Sequence, residues 1–172
     1  MNLTCKLRLI VTIHKINEIS TRNVGFYSVK LGSDSETEFH KFYEKEFIQH
    51  GDEFNEIEYA IHEMGQREAR LYYFKNEGGF EYLPLIGNDQ INSNGRNDYG
   101  VRLYCKFLSP HIVILFNGDI KTNHKPEQCN NVKDHFRRAK LISKKIDDAF
   151  NQGFISYKHV SLEIDPNLEI DI

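Results

Sequence analysis

A chain of 172 residues with 40% hydrophobic and 12% aromatic residues can bury a core of its own, which excludes a wholly disordered protein. Its three cysteines lack the spacing of a zinc site or a disulfide framework, and no segment approaches the roughly 20 apolar residues of a membrane span. The net charge of −3 is unevenly divided, because residues 96–145 carry eleven Lys/Arg and four Asp/Glu, whereas residues 31–60 carry two Lys and nine acidic residues.

The first predicted elements are two strands and a pair of helices. Residues 3–13 alternate between apolar and polar side chains, which is typical of a strand with one face in the core. Residues 26–31 form a second short strand. Helical spacing then extends over residues 35–65, where Ser35 and Glu38 form a capping box at the start of the first helix.

The second half of the chain adds more strands and a long helix. We predict a strand over 70–74, a hairpin of 101–108 and 112–117, a helix over 132–151 and a late strand within 155–164. The final acidic residues are expected to be frayed. This order predicts an α+β fold, in which an antiparallel sheet with an extra N-terminal strand packs against an N-terminal helical hairpin and a C-terminal helix.

The first strand of the predicted hairpin carries a basic and aromatic stripe. Arg102, Tyr104 and Lys106 share one face because strand side chains alternate, and the apolar residues between them are expected in the core. Arg70 and Tyr72 would form a similar pair on the preceding strand. The functional interpretation is a surface for RNA, and the alternative is an ordinary solvated sheet face.

Further basic residues follow this hairpin. Lys121 stands just past the apolar second strand, and His124 and Lys125 follow in the same loop. Arg137 and Arg138 lie on the expected outer side of the last helix. A segregated basic segment favours an anionic partner, because Arg and Lys bind phosphate by charge-assisted hydrogen bonds. His124 could act as an acid or a base, the roles for which histidine is suited.

Two other ionisable residues have simpler explanations. Asp119 is a weak candidate for a base, because an aspartate that follows Gly118 is more simply a turn-stabilising residue. His135 lies on the predicted helix and is interpreted as a packing or surface residue. None of the histidines has a partner at metal-ligand spacing, so we expect no metal site and no cofactor.

The segments YGVRLYCKF and HIVILFNGDIKT together resemble the RelE/HigB-like toxins, the small mRNA endonucleases of toxin–antitoxin pairs. The YGVRLYCKF segment is similar to the family's arginine-bearing central strand, and HIVILFNGDIKT is similar to the apolar strand that follows it. The resemblance covers residues 26–151, which leaves 1–25 as an N-terminal strand extension and 152–172 as a C-terminal acidic extension of a single domain. The family's basic pair would fall on Ile120 and Lys121, so one lysine of that pair is missing.

The resemblance implies a metal-independent RNA endonuclease of the cytoplasm that acts on free or ribosome-bound RNA and is neutralised by an antitoxin protein. No membrane partner is expected. The missing lysine leaves open a non-catalytic binding protein on the same fold, similar to the gyrase inhibitors of the superfamily, or a protein-interaction module. The catalytic roles would fall on Arg102, Lys121, Tyr104 and His124, and RNA binding would fall on Arg70, Tyr72, Lys106, Lys125, Arg137 and Arg138.

Overall fold

The structure is a computed structural model that describes residues 8–83 and 99–172. The α-helices of this part of the chain are α1 (Glu38–Tyr43), α2 (Gly51–Gln66) and α3 (Lys133–Asn151). Seven strands form one sheet: β1 (Ile10–Lys15), β2 (Gly25–Leu31), β3 (Lys75–Glu77), β4 (Phe80–Leu83), β5 (Gly100–Ser109), β6 (Ile112–Lys121) and β9 (Ile170–Asp171). A separate hairpin consists of β7 (Ile155–Lys158) and β8 (Ser161–Ile164).

The strands of the large sheet lie side by side in the order β3-β4-β5-β6-β2-β1-β9. Every neighbouring pair is antiparallel except β2 and β6, which pair in parallel between Gly25–Tyr27 and Ile112–Ile114. The predicted α+β class with a mostly antiparallel sheet is therefore confirmed. The hairpin β5–β6 lies where the sequence predicts it, and β6 extends further, to Lys121.

Strand β5 shows that both faces of the sheet are covered. Leu103 and Cys105 belong to an apolar cluster that includes Met64 of α2, whereas Tyr104 belongs to a second cluster that includes Phe136 of α3. Successive strand side chains point to opposite faces. The sheet therefore lies between α1 and α2 on one side and α3 on the other.

This arrangement corrects the expectation that the stripe on β5 faces water. Arg102 is only 4% exposed, Tyr104 is completely buried and Lys106 is half-buried. Tyr104 is buried because the apolar side of α3 packs on the sheet face that the sequence pattern assigns to solvent. Arg102 is buried against Glu77 and Tyr82 of the β3–β4 hairpin. The choice of face depends on long-range packing, which the alternation within β5 does not contain.

The start of α1 differs from the predicted capping box. Thr37, not Ser35, is the N-cap residue, and its Oγ1 accepts a hydrogen bond from the backbone N–H of His40 at 3.3 Å. A threonine cap satisfies one of the N–H groups that the first helical turn leaves unpaired. Helix α1 is consequently only six residues long.

The predicted strand over 70–74 is wrong. Residues Leu71–Tyr73 form a 3₁₀ turn, and the chain enters the sheet only at β3. Strands β3 and β4 are joined through Gly78 and Gly79, which have φ values of 57° and 78°. Glycine adopts this left-handed region without steric cost, so the Gly-Gly pair is what permits the tight connection.

Both ends of the described chain join the sheet. Strand β1 confirms the predicted N-terminal strand from Ile10 onward, whereas residues 3–7 of that prediction lie outside the described residues. The C-terminus is not frayed, because β9 pairs with β1 and Ile170 is 4% exposed. No helix within the described ranges is long and apolar enough to cross a bilayer.

Candidate functional site

Glu77, the last residue of β3, lies at the centre of a buried polar cluster. Lys121 Nζ lies 2.6 Å from Glu77 Oε2, and Arg102 Nε lies 3.8 Å from Glu77 Oε1. Tyr104 Oη donates a hydrogen bond to Glu77 Oε1 at 3.0 Å. The Glu77 carboxylate thus forms ion pairs or a hydrogen bond with three of the four residues that have predicted catalytic roles. We call these four residues, Glu77, Arg102, Tyr104 and Lys121, the carboxylate cluster.

The register of β5 and β6 explains why the cations meet. Lys121 pairs with Gly100, and Asp119 pairs with Arg102, so the two basic side chains leave the same sheet face near the same end of the hairpin. Arg102 and Lys121 therefore share one face, as the strand phase predicts. Their predicted exposure is wrong, because the Lys121 side chain is only 3% exposed.

The environment fixes the protonation state of the tyrosine. Burial raises the pKa of Tyr104 well above its ordinary value, and the negative charge of Glu77 raises that pKa further. Tyr104 therefore keeps its proton at every physiological pH and remains a hydrogen-bond donor to the carboxylate. Arg102 is held from a second side, since its guanidinium lies 4.4 Å from the centre of the Tyr82 ring.

A polar cleft of about 640 Å³ opens over the carboxylate cluster, and we call it the basic cleft. Arg102 and Lys121 are its buried basic residues, while the exposed side chains of His124 and Lys125 also line it. The exposed Tyr99 ring lies 5.4 Å from the His124 ring, and its hydroxyl lies 3.3 Å from His124 Nε2. The cleft thus combines buried cations with a titratable group that is open to solvent.

A second polar cluster lies where α1, β6 and α3 meet. Lys45 Nζ donates hydrogen bonds to the Gly118 carbonyl at 2.5 Å and to Asp119 Oδ2 at 2.9 Å, and it lies 3.2 Å from His135 Nε2. Burial, and then the charge of Lys45, lower the pKa of His135 to about 4. His135 is therefore a neutral member of a polar network at pH 7, not the simple packing or surface residue that its helical position indicates.

Glu38 at the start of α1 extends this second cluster. Its side chain is 4% exposed, and its carboxylate lies 2.8 Å from Lys41 Nζ and 3.7 Å from Arg138 Nη1. Asn117 Nδ2 donates to the same carboxylate at 3.3 Å. Arg138 is thereby placed with α1 and not with the basic cleft.

Two predicted RNA-binding residues lie before β3 and do not line the basic cleft. Arg70 is exposed and lies 2.6 Å from Glu68 Oε1 through its Nη2. Tyr72 is 54% exposed, and its ring lies 4.5 Å from the ring of Tyr73. Since residues 71–73 form a 3₁₀ turn, the two side chains do not continue the stripe of β5 as the strand prediction requires.

The other predicted RNA-binding residues have different surroundings. Lys125 is part of the lining of the basic cleft. Lys106 lies on the same strand as Arg102, but its Nζ lies 2.8 Å from Asp147 Oδ1 of α3, so the helix holds it away from the cleft. Arg137 is exposed on α3 and does not line the cleft either.

The sequence pattern does not identify Glu77, because the segment KNEGGF has the glycine-rich composition of a loop. The signal that could have found it is the Gly78–Gly79 pair between short alternating segments, which is a hairpin pattern. A hairpin at this position puts Glu77 on a strand and makes it a candidate partner for the basic face of β5. Tyr82 on the second strand of that hairpin could have been found in the same way.

Comparison of the chain with protein-family models, with curated proteins and with solved structures found no match. Within the described residues, no group of three or more His, Cys, Asp or Glu side chains is arranged to hold a metal ion. Cys105 and Cys129 are both buried free thiols. Function therefore has to be inferred from the geometry of the basic cleft.

Proposed function

We propose that this protein is a toxin-like RNA endonuclease and that the basic cleft is its active site. The observation that carries the proposal is the convergence of Arg102 and Lys121 on Glu77 at the base of an open cleft. A carboxylate beside two fixed cations combines a proton acceptor with charges that stabilise a phosphate. The resemblance of β5 and β6 to the strands of RelE/HigB-like toxins points to the same class.

The proposed reaction uses the 2′-hydroxyl of the RNA as the nucleophile. Its proton passes to Glu77, the 2′-oxygen bonds to phosphorus, and the bond from phosphorus to the 5′-oxygen breaks as His124 donates a proton. The products are a 2′,3′-cyclic phosphate and a 5′-hydroxyl, and no metal ion takes part. Arg102 and Lys121 stabilise the charge that develops on the phosphate oxygens.

The cleft is suited to single-stranded RNA, because aromatic rings stand beside its cations. Tyr99 is 45% exposed and contacts His124, so an unpaired base has a ring to stack on next to the proposed acid. Tyr104 acts as a positioning residue, since it is fully buried and holds Glu77 by a hydrogen bond. In this proposal an antitoxin protein neutralises the enzyme in the cell, and the RNA is free or ribosome-bound.

Controlled expression in bacteria tests the proposal. The wild type should arrest growth, and sequencing of RNA ends should show new 5′-hydroxyl ends soon after induction. The double substitution His124→Ala/Lys125→Ala should restore growth, because it removes the proposed acid and a basic residue of the cleft. Both side chains are exposed, so the variant should keep its folded core. The matched control is Arg70→Ala/Tyr72→Ala, which removes a basic and an aromatic residue outside the cleft and should remain toxic.

Two outcomes would refute this proposal. A wild type that is harmless when expressed and leaves cellular RNA intact is not a toxin of this kind. Equal relief of toxicity by the two double substitutions would show that the basic cleft has no special role.

A second candidate function, binding without catalysis, is favoured by one specific observation. Glu77 already forms ion pairs with both Lys121 and Arg102, whereas a nuclease site more often presents its cations to the phosphate. In this alternative the cleft binds an anionic surface of a protein or nucleic acid and breaks no bond. Growth arrest without new RNA ends would favour this alternative over the nuclease.

A further inference from the structure

A second pocket, separate from the basic cleft, lies on the side of the molecule that α1 and α2 form. It has a volume of about 290 Å³ and opens between the C-terminal half of α2, α1 and the loop after β1. Its apolar wall is formed by Phe39 and Ile61, which are buried, and by the half-exposed ring of Tyr43. Glu18 and Glu58 supply carboxylates to its lining.

The aromatic wall and the carboxylate are connected. Tyr43 Oη donates a hydrogen bond to Glu58 Oε1, which holds the ring and the charge side by side. The ring of Tyr43 also lies 5.9 Å from the ring of Phe39 and 5.3 Å from that of Phe54, so its orientation is fixed by neighbours. A carboxylate has about four acceptor positions, and one phenol donor leaves the others for a ligand.

Two further sources of negative potential act on the same pocket. Its lining includes Gly65 and Gln66 at the C-terminal end of α2, where the helix dipole favours a cation. Three of its lining residues come from residues 31–60, a segment with nine acidic residues against two lysines. Aromatic face, carboxylate and helix C-terminus are the three features that bind a planar cation.

We propose that this pocket binds an arginine side chain of a basic partner polypeptide. The guanidinium would lie against the Tyr43 ring and donate to Glu58, and the aliphatic part of the side chain would pack on Phe39 and Ile61. Arginine fits better than lysine because its planar group can stack and donate two hydrogen bonds at once. This proposal does not depend on the nuclease activity, since the pocket shares no residue with the basic cleft.

The test uses N-acetyl-arginine N-methylamide as the probe and two-dimensional NMR of the full-length, ¹⁵N-labelled chain as the readout. The amide chemical shifts of Thr21, Glu58, His62 and Gly65 should change with probe concentration and reach a plateau, while those of other residues change little. The corresponding citrulline derivative has nearly the same shape and no charge, and it should bind about tenfold more weakly or worse. These results together would support an arginine site.

Variants separate a specific site from general attraction to acidic surface. Glu58→Gln should weaken binding of the arginine probe about tenfold, because it removes a charge-assisted hydrogen bond. Glu46→Gln removes an exposed charge from the same acid-rich segment but does not line the pocket, so it should leave binding unchanged. An unchanged NMR spectrum of the wild type, equal binding of the citrulline probe, or equal losses in the two variants would overturn the proposal.

Discussion

Lys121 and Glu77 form a buried ion pair, with 2.6 Å between Nζ and Oε2 and side chains that are 3% and 12% exposed. The pair joins the end of β6 to the end of β3, two strands that are not neighbours in the sheet. It therefore links the stability of the sheet to the geometry of the basic cleft. Removal of Lys121 takes its closer cation from the Glu77 carboxylate, which keeps Arg102 at 3.8 Å.

We expect Lys121→Met to lower the free energy of unfolding by up to about 3–5 kcal/mol, the range for removing one half of a buried pair, because Arg102 still offsets part of the Glu77 charge. Urea denaturation followed by circular dichroism measures this change. The matched control is Arg67→Met, since Arg67 is 73% exposed and 3.8 Å from Glu63 Oε2, and such surface pairs contribute at most about 1 kcal/mol. Equal effects of the two substitutions would contradict the assignment of the Lys121 pair as a buried structural link.

Strand β6 approaches the backbone of β5 closely at Gly118. A Cβ at this position would lie 1.7 Å from the carbonyl oxygen of Arg102, and that atom is backbone. Gly118→Ala should therefore destabilise the protein by about 3 kcal/mol or more, by forcing the strands apart. Gly51→Ala is the control, because Gly51 has helical φ and no atom near the added carbon. Thermal unfolding should show no loss of stability for Gly51→Ala.

The C-terminal strand should contribute to stability. Ile170 packs into the apolar cluster of α3, and Ile170→Ala should cost about 2–5 kcal/mol in thermal or urea unfolding. Glu169→Ala changes the exposed neighbouring residue and should stay within about 0.5 kcal/mol of the wild type. A freely frayed tail would instead give two variants as stable as the wild type.

The lowered pKa of His135 makes the free energy of unfolding depend on pH. Its pKa is lowered from 6.5 in the unfolded chain to about 4 in the folded protein, so the unfolded state binds the proton more tightly. The contribution of neutral His135 is fully present above pH 6.5 and is lost as the pH falls towards 4. His135→Gln should therefore lose less stability than the wild type between pH 6.5 and 4 in urea titrations. His62→Gln replaces an exposed histidine and should follow the wild-type curve.

The fold class follows from local patterns, but the layer arrangement does not. The alternation in β5 and the apolar stripe of α3 each predict an element correctly, because both signals lie within a few residues. Which sheet face α3 covers depends on contacts between distant segments. For that reason Arg102 is predicted on the correct face, whereas its burial against Glu77 and Tyr82 is not predicted.

The candidate site was predictable only in part, for the same reason. Arg102 and Lys121 are brought together by strand phase, which the sequence shows directly. Glu77 belongs to a three-residue strand, too short for a periodic pattern to be recognised. The network around His135 needs Lys45, which is ninety positions away in the chain and reaches the histidine only after folding.

Whether the basic cleft cleaves RNA is measured by the rate at which the purified protein cuts a short, end-labelled single-stranded RNA in the presence of a chelator. We predict cleavage with a 2′,3′-cyclic phosphate product, no cleavage where the attacking 2′-hydroxyl is replaced by hydrogen, and a loss of about 10²–10⁴-fold in rate for His124→Ala. Arg70→Ala should cleave at the wild-type rate. Intact RNA after incubation with folded wild type, or equal rates for wild type and His124→Ala, would contradict the claim that the basic cleft is a nuclease site.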